Sequence, residues 1–300
     1  MPAPTSPPSR LPLSHLFLAV LVVAVWGTNF VVISRALQQL PPLLLATLRF
    51  VFAVLPAIFF LPRPAVPWRQ LAAYGVLIGA GQFGLLFIAM RADITPGLAS
   101  LVVQTQVFFT IGLAMRLHRE RLRAVQLPAL LLAAVGLGVI AAHTDAHTTI
   151  TGLVLVLLAA LCWSAGNLVA KAAGPVNLLA YVVWASLFSV PPLLLLSLLF
   201  EGPALMLHSL RHADAGTWLA VVWQAAGNTL FGYVAWAWLL ARHPAATVSP
   251  LALLVPVFGI GASALLLGEP LPAWKLMAAA LVMGGLALNL LGPRLRRRAG

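Results

Sequence analysis

The stretch VVAVWGTNFVVISRAL, residues 22–37, places a Trp, a Gly, a Thr and an Asn in the middle of an apolar run. With its flanking residues the run reaches the length of about 20 mostly apolar residues that a helix needs to cross a bilayer. Lipid offers polar side chains no hydrogen-bond partners, so Trp26 and Asn29 must either pack against other helices or line a polar passage. This stretch alone leaves both interpretations open.

The composition of the whole chain is that of an integral membrane protein. Of its 300 residues, 62% are hydrophobic and only 8% are charged, and the mean hydropathy is +1.01. A water-soluble domain carries about a quarter of its residues as charges. The 18 Lys and Arg residues against 6 acids therefore indicate orientation in a bilayer rather than nucleic-acid binding. We expect contact with a lipid bilayer and no nucleic-acid partner.

Charges and prolines divide the chain into ten apolar segments joined by short linkers. Most basic residues fall on one side of the membrane if the N-terminus is cytoplasmic, and an even number of spans returns the C-terminus to the same side. We expect a disordered tail at 1–14, an external linker at 143–150, a small extra helix within 200–215 and a basic cytoplasmic tail at 293–300. The predicted all-α spans are 15–37, 43–61, 69–90, 94–116, 124–142, 151–172, 178–199, 216–240, 245–267 and 272–292.

An internal repeat divides these spans into two halves. GAGQFGLLFIAMRADITP (79–96) aligns with GNTLFGYVAWAWLLARHP (227–244), and neighbouring offsets place Glu120 on Glu269 and Trp26 on Trp163. The halves, 15–142 and 151–292, each hold five spans, and an odd number makes the second half start on the opposite side of the membrane. Inverted five-helix repeats are the layout of many secondary transporters, whose substrate site lies near the midplane between the halves.

Several segments resemble a known family. WGTNFVVIS, PLLLATLRF, HRERL and LGEPLPAWKLMAAALVMGGLAL resemble the ten-helix EamA-type exporters of the drug/metabolite transporter superfamily over about residues 15–292, and the overall likeness is to the YddG-type exporters of aromatic amino acids. The resemblance implies export of amino acids, aromatic or bulky neutral ones above all, and of related small metabolites across the bacterial inner membrane. One departure is that VVQTQVFFT replaces the Pro that the family often carries in the fourth helix.

Polar and aromatic side chains recur near the middle of the predicted spans. Uncharged amides there can hydrogen-bond a zwitterion without the desolvation cost of a fixed charge, and aromatic walls favour bulky apolar groups. Helix packing is the alternative for each residue alone, and for Trp223 it is the favoured one. The candidate substrate-binding residues are Trp26, Asn29, Tyr74, Gln82, Gln104, Gln106, Trp163, Asn167, Trp223, Asn228 and Tyr233.

Two further features concern the spans themselves. Pro250 and Pro256 interrupt the backbone hydrogen bonds of span nine twice and predict a hinge there. Arg49 lies within span two. We favour a structural role in which its side chain extends to the external surface, and the alternative is attraction of a substrate carboxylate in an outward vestibule.

The positions of the titratable residues bear on mechanism. All six acids and all seven His residues fall in predicted turns or at helix ends, whereas proton-coupled carriers keep an ionisable residue in the membrane interior. A facilitative exporter acting as a monomer is predicted, with a dimer possible and with no cofactor, metal or catalytic residue. The alternatives are a proton-coupled exporter of other drugs or metabolites and a polytopic membrane enzyme, for which HTDAH (143–147), interpreted as a solvated turn, is the only candidate motif.

Overall fold

The computed structural model describes residues 11–118 and 126–299, and these residues are helical apart from turns and one isolated β-bridge between Asp145 and Thr148. In the described ranges, eight helical segments are long and apolar enough to cross a membrane. The predicted class, a multi-pass helical membrane protein, is thereby confirmed. The eight segments are Leu13–Ala36, Pro42–Phe59, Trp68–Ala92, Pro96–Arg116, Ile150–Lys171, Leu178–Phe200, Ser249–Leu267 and Ala273–Leu291.

The α-helices are named here in chain order. Those of the first predicted half are α1 (Leu13–Ala36), α2 (Pro42–Val54), α3 (Trp68–Val76), α4 (Leu85–Ala92), α5 (Pro96–Val102), α6 (Gln106–His118) and α7 (Gln126–Ala142). Those of the second half are α8 (Ile150–Lys171), α9 (Leu178–Ser186), α10 (Val190–Phe200), α11 (Pro203–His212), α12 (Ala215–Trp223), α13 (Gly232–Arg242), α14 (Ala245–Val248), α15 (Val255–Leu267) and α16 (Ala273–Ala299).

Two of the ten predicted spans are not among the eight apolar segments. The helix α7 is apolar but has only 17 residues, and residues 119–125, which include Glu120 and the predicted start of that span, lie outside the described part of the chain. From α12 to α13 the chain is helical without a break. Amides such as Gln224 and Asn228, together with several Trp residues, make this stretch less hydrophobic than the others.

The ends of the predicted spans differ in detail from the helices. The first ten residues lie outside the description, and α1 begins at Leu13, inside the predicted tail of 14 residues. At the other end the backbone of α16 continues as a helix to Ala299, whereas the prediction ended span ten at residue 292. The extra helix expected within 200–215 is confirmed by α11, which Gly202 introduces with a φ of 79°.

Helix starts in the second half follow ordinary capping chemistry. Thr149 accepts the backbone N–H of Gly152 at 3.0 Å at the start of α8, and Asp214 accepts that of Thr217 at 2.7 Å at the start of α12. Such caps satisfy backbone donors that have no partner within the first helical turn. They fix where the chain enters the apolar segments.

Irregular helix occurs at corresponding places in the two predicted halves. A π-helix at Leu77–Gly84 separates α3 from α4, and a second at Gln224–Phe231 separates α12 from α13. Likewise a 3₁₀-helix at Val103–Thr105 interrupts the fourth predicted span, and one at Ser249–Leu254 interrupts the ninth. Each of these segments leaves the α-helical hydrogen-bond pattern, and π-helical turns are frequent at functional sites.

Close packing joins the halves. The helix α7 lies along α16, α1 lies along α15, and α8 contacts both α6 and the π-helix Leu77–Gly84. A Cβ atom on Gly27 of α1 would come within 2.5 Å of the Val255 carbonyl oxygen on α15. Small residues at such crossings let helix backbones approach closely enough for dense van der Waals packing.

Candidate functional site

Arg49 of α2 lies deep inside the protein. Its side chain is 1% exposed, and its Nη2 donates to the Thr229 hydroxyl oxygen at 3.2 Å. The guanidinium carbon is 3.6 Å from the centre of the Phe83 ring, the geometry of a cation–π contact. The expectation that this side chain extends to the external surface is therefore wrong.

A small cavity adjoins this guanidinium group. Its volume is about 10 Å³, which is room for a single water molecule. Residues of both predicted halves line it, among them Arg49, Tyr74, Phe83, Ser189, Thr229 and Tyr233. The cavity therefore lies between the two predicted halves.

Two of the predicted candidates, Tyr74 and Tyr233, meet in this cavity. Tyr74 comes from α3 and Tyr233 from α13, and both line the cavity beside Arg49. Tyr74 also packs edge-to-face on Tyr181, with ring centres 5.1 Å apart. One Tyr of each predicted half therefore lines the cavity with the buried cation.

Thr229 connects Arg49 to the second π-helix. Its hydroxyl donates to the Gln224 carbonyl oxygen at 2.9 Å and accepts from Arg49. The Gln224 side chain is fully buried, and neither of its amide atoms has a hydrogen-bond partner. Thr229 and Gln224 are not among the residues predicted from the sequence, although a midspan amide, such as Gln224, was the signal for several of those residues.

Trp26, Asn29 and Asn228 form a second group beside the cavity. The indole N–H of Trp26 donates to the Asn228 backbone carbonyl oxygen at 3.1 Å, and the Trp26 ring centre is 6.2 Å from that of Tyr233. Asn29 is 3% exposed, and its side-chain oxygen has no partner. These contacts join α1 to the π-helix Gln224–Phe231.

Gln106, Trp163 and Asn167 form a third group, at the contact of α6 with α8. The Asn167 side chain donates to the side-chain oxygen of Gln106 at 3.2 Å, and the Ser164 hydroxyl donates to the Gln106 backbone carbonyl at 2.7 Å. Trp163 is half-buried against the hydrophobic core. Thus the predicted partners Trp26 and Trp163 both lie near amides at contacts between the halves.

The remaining candidates lie elsewhere. Gln82 and Gln104 are buried, but neither lines the cavity beside Arg49. Trp223 is 39% exposed, and its ring lies next to Gly227. Pro250 lies in the 3₁₀-helix Ser249–Leu254, and Pro256 lies in the first turn of α15.

The described acids serve the ends of helices. Glu201 accepts the backbone N–H groups of Leu43 and Leu44 at 2.6 and 2.9 Å, and Asp145 of the HTDAH loop accepts those of His147 and Thr148 at 2.8 Å each. Within residues 11–118 and 126–299, no group of three or more His, Cys, Asp or Glu residues gathers where it could hold a metal ion. The loop therefore has an evident structural role.

These features define a class of protein. A multi-pass helical membrane protein with polar groups buried between its spans, flanked by interrupted helices, has the layout of a secondary transporter.

The family model described as EamA-like transporter matches residues 13–142 and again residues 150–291. A "Probable amino-acid metabolite efflux pump" of Salmonella typhimurium is 44% identical over 289 residues, covering 94% of this chain and 97% of that protein. The protein of the same description from Escherichia coli K12 is 42% identical, covering 93% and 96%. A solved crystal structure superposes with a TM-score of 0.64 at 21% identity, covering 94% of this chain and 98% of that one.

The chain belongs to the EamA-like transporter family. An "Uncharacterized inner membrane transporter" of Escherichia coli K12, 24% identical over 296 residues, aligns with 94% of the chain and 92% of its own length. The protein is a multi-pass transporter of the bacterial inner membrane.

Proposed function

We propose that this protein exports amino acids, aromatic and bulky neutral ones in particular, and related small metabolites from the cytoplasm. The observation that carries the proposal is the cavity to which the first half contributes Arg49 and Tyr74 and the second half Thr229 and Tyr233. Its cation suits a carboxylate, its hydroxyl groups suit polar backbone atoms, and its Phe and Tyr rings suit an apolar side chain. The printed names of the two efflux-pump relatives agree with this substrate class.

The proposed architecture is ten transmembrane helices in two inverted repeats of five, 15–142 and 151–292, with both termini in the cytoplasm. Three observations support it. The family model matches once in each half. The π-helices and the 3₁₀-helices recur at matching positions, and the contact of α1 with α15 has its counterpart in that of α8 with α6. Reporter fusions at the C-terminus and after residue 142 test the proposal, because only the first should report a cytoplasmic location.

Alternating access is the proposed mechanism. In this conformation the cavity admits about one water molecule, so a larger substrate requires the helices around it to separate. The interrupted stretches of helix are the places where such movement costs least, because their backbone hydrogen bonds already depart from the α-helical pattern. Pro250 and Pro256 are the proposed hinge of the ninth span. The candidate residues Trp26, Asn29, Gln106, Trp163 and Asn167 are proposed to line the route beside the cavity.

The proposed transport is facilitative and needs no cofactor, and we assign the protein no enzymatic activity. The described acids lie at helix ends or in turns: Asp93, Asp145, Glu201, Asp214 and Glu269. Glu120 lies outside the described residues. Arg49 is buried at midspan, but a guanidinium group retains its proton and does not act as a proton carrier. The substrate gradient is therefore the proposed driving force.

Efflux from proteoliposomes tests this function. Vesicles holding the purified protein are preloaded with a panel of labelled amino acids, and release is followed with and without an imposed pH gradient. We expect release of aromatic and bulky neutral amino acids at rates that the pH gradient does not change. No release of any amino acid would refute the substrate class. Uphill movement driven by the pH gradient would refute the facilitative mechanism and favour a proton-coupled exporter.

A further inference from the structure

Arg49 is a buried cation with unused hydrogen-bonding capacity. Its Nη2 donates to Thr229, but its Nε and Nη1 have no hydrogen-bond partner. In the described parts of the chain, no carboxylate lies within ion-pairing distance of the guanidinium group. Two nitrogens without a hydrogen-bond partner are uncommon in a buried cation, because most buried polar groups are hydrogen-bonded.

The surroundings of Arg49 offset only part of the cost of burying it. Removing a charged group from water without a counter-ion is costly even after relaxation, and the cation–π contact with the Phe83 ring offsets only part of that cost. The hydroxyl of Thr229 is neutral. The positive charge of Arg49 is therefore only partly compensated unless an anion binds beside it.

Besides Arg49, the described residues of the cavity wall carry no charge. Its polar side chains besides Arg49 are the hydroxyl groups of Tyr74, Ser186, Ser189, Thr229 and Tyr233. The Ser186 and Ser189 hydroxyls already donate to the backbone carbonyls of Val182 and Gly75, each at 2.7 Å. Within residues 11–118 and 126–299, no Asp or Glu lines the cavity. A carboxylate in the cavity can pair with the guanidinium group of Arg49, whereas an ammonium group can bind only neutral hydroxyl and carbonyl oxygens.

We propose that Arg49 binds the carboxylate of the transported molecule and that the site does not require a free ammonium group. The substrate class is then that of small monocarboxylates with one apolar or aromatic side chain, including amino acids whose amine has been acylated. This inference rests on the proposed export function and narrows it. The Phe83 and Phe50 rings next to the guanidinium group contact the apolar part of the ligand.

Binding at this position also bears on movement. The Arg49–Thr229 hydrogen bond ties α2 to the π-helix Gln224–Phe231, which belongs to the other predicted half. A carboxylate competes with the Thr229 hydroxyl for the same guanidinium group, and an ionised acceptor forms the stronger hydrogen bond. Substrate binding therefore weakens the Arg49–Thr229 hydrogen bond, a direct interaction between the predicted halves, as the cavity widens.

The test compares three ligands that share one aromatic side chain. Phenylalanine carries both charges, N-acetylphenylalanine keeps only the carboxylate, and phenethylamine keeps only the ammonium group. Binding to the purified wild-type protein in detergent is measured by calorimetry and by ligand-induced thermal stabilisation. We expect phenylalanine and N-acetylphenylalanine to bind with comparable affinity and phenethylamine at least about 10-fold more weakly, as loss of a charged hydrogen bond implies.

Matched variants assign the effect to Arg49. Arg49→Gln should weaken binding of both carboxylates at least about 10-fold, and Arg49→Lys should retain part of the affinity because it keeps the charge. Arg69→Gln is the control, since Arg69 is an exposed residue of α3 and its loss removes the same charge without touching the cavity. Efflux of phenylalanine from proteoliposomes should follow the same order.

The outcomes separate the two proposals. Tight binding of phenethylamine without binding of N-acetylphenylalanine, or unchanged phenylalanine binding by Arg49→Gln, would overturn the carboxylate assignment while leaving amino-acid export intact. Failure of all three ligands to bind, with no amino-acid efflux by the wild type, would overturn the export function as well. The comparison of ligands on the wild-type protein decides the question even if Arg49→Gln does not fold.

Discussion

Trp26 on α1 donates its indole N–H to the backbone carbonyl oxygen of Asn228, at 3.1 Å, across the contact between the two predicted halves. The acceptor belongs to a π-helix, and Gly232, one turn further along, leaves room for the indole because it has no Cβ. A tryptophan, an irregular helix and a glycine thus form one contact beside the cavity. This contact joins the polar stretch of the first span to the site.

Replacement of Trp26 tests this contact. Trp26→Phe keeps an aromatic ring but removes the donor, and a buried carbonyl left without its partner costs about 1–3 kcal/mol. We expect a lower melting temperature in detergent, normal membrane insertion and a changed substrate range in efflux assays. Trp163→Ala should likewise change the substrate range without abolishing insertion. Unchanged stability and unchanged substrate range for both variants would contradict a role in the route.

Gly27 of α1 and Gly261 of α15 form a matched pair, since only the first lies at the contact between the two helices. A Cβ on Gly27 would lie 2.6 Å from Cβ of Phe258, so Gly27→Ala should force the helices apart and destabilise the protein by about 1–3 kcal/mol. Gly261 of α15 has open space where a Cβ would be placed. Gly261→Ala should be neutral or stabilise by about 0.5–1 kcal/mol through helix propensity. Thermal unfolding in detergent measures both, and equal effects would argue against the packing described.

Glu269 and Lys275 form an ion pair at 2.9 Å with side chains 5% and 4% exposed. Glu269 also accepts from the Thr95 hydroxyl at 2.5 Å and from the Gly97 backbone N–H at 3.0 Å, which ties the turn before α16 to the start of α5. Glu269→Ala leaves a buried ammonium group unpaired and should cost about 3–5 kcal/mol. Lys275→Met introduced into that variant should restore part of the loss. A double variant as unstable as Glu269→Ala would show that the pairing energy is not the cause.

Asp214 makes stability depend on pH in the acid range. The backbone N–H of Thr217, with the Gln39 side chain as a further donor, lowers the pKa of this carboxyl group below its ordinary value of 3.8. Because the folded-state pKa is lowered, the stabilising effect is fully present above that ordinary value and is lost as the pH falls through the lower folded-state pKa. Asp214→Asn keeps an N-cap but does not titrate there. The difference in melting temperature between wild type and variant should therefore shrink below about pH 4, and a difference independent of pH would contradict the assignment.

Much of the architecture follows from local patterns in the sequence. Apolar runs of about 20 residues must form helices in lipid, because every backbone polar group needs a partner within its own segment. The same reasoning located α11 between longer helices. The helical stretch from α12 to α13, predicted as the eighth span, is not among the eight apolar segments, since Gln224, Asn228 and several Trp residues lower its hydropathy. The amides that weaken the membrane signal are the residues buried beside the cavity.

The same sequence patterns predicted only part of the candidate site. Tyr74 and Tyr233 were selected as aromatic residues at midspan, and the cavity brings them together. Trp223 met the same criterion, yet it is 39% exposed, because one helix presents aromatic residues both to its neighbours and to the outer surface. Arg49 was identified in span two but assigned to the surface. A one-dimensional pattern locates a residue along a helix without specifying what faces it.

The sequence by itself determined the helical membrane class, the repeat and the family resemblance, because these depend on composition, periodicity and order along the chain. Tertiary structure alone decided that Arg49, Phe83 and Thr229 meet, since they come from segments distant in sequence whose rotation depends on packing. It also decided that two nitrogens of that guanidinium group lack a protein partner. Burial makes this deficit energetically significant, because a cation removed from water must find its anion within the protein or in a ligand.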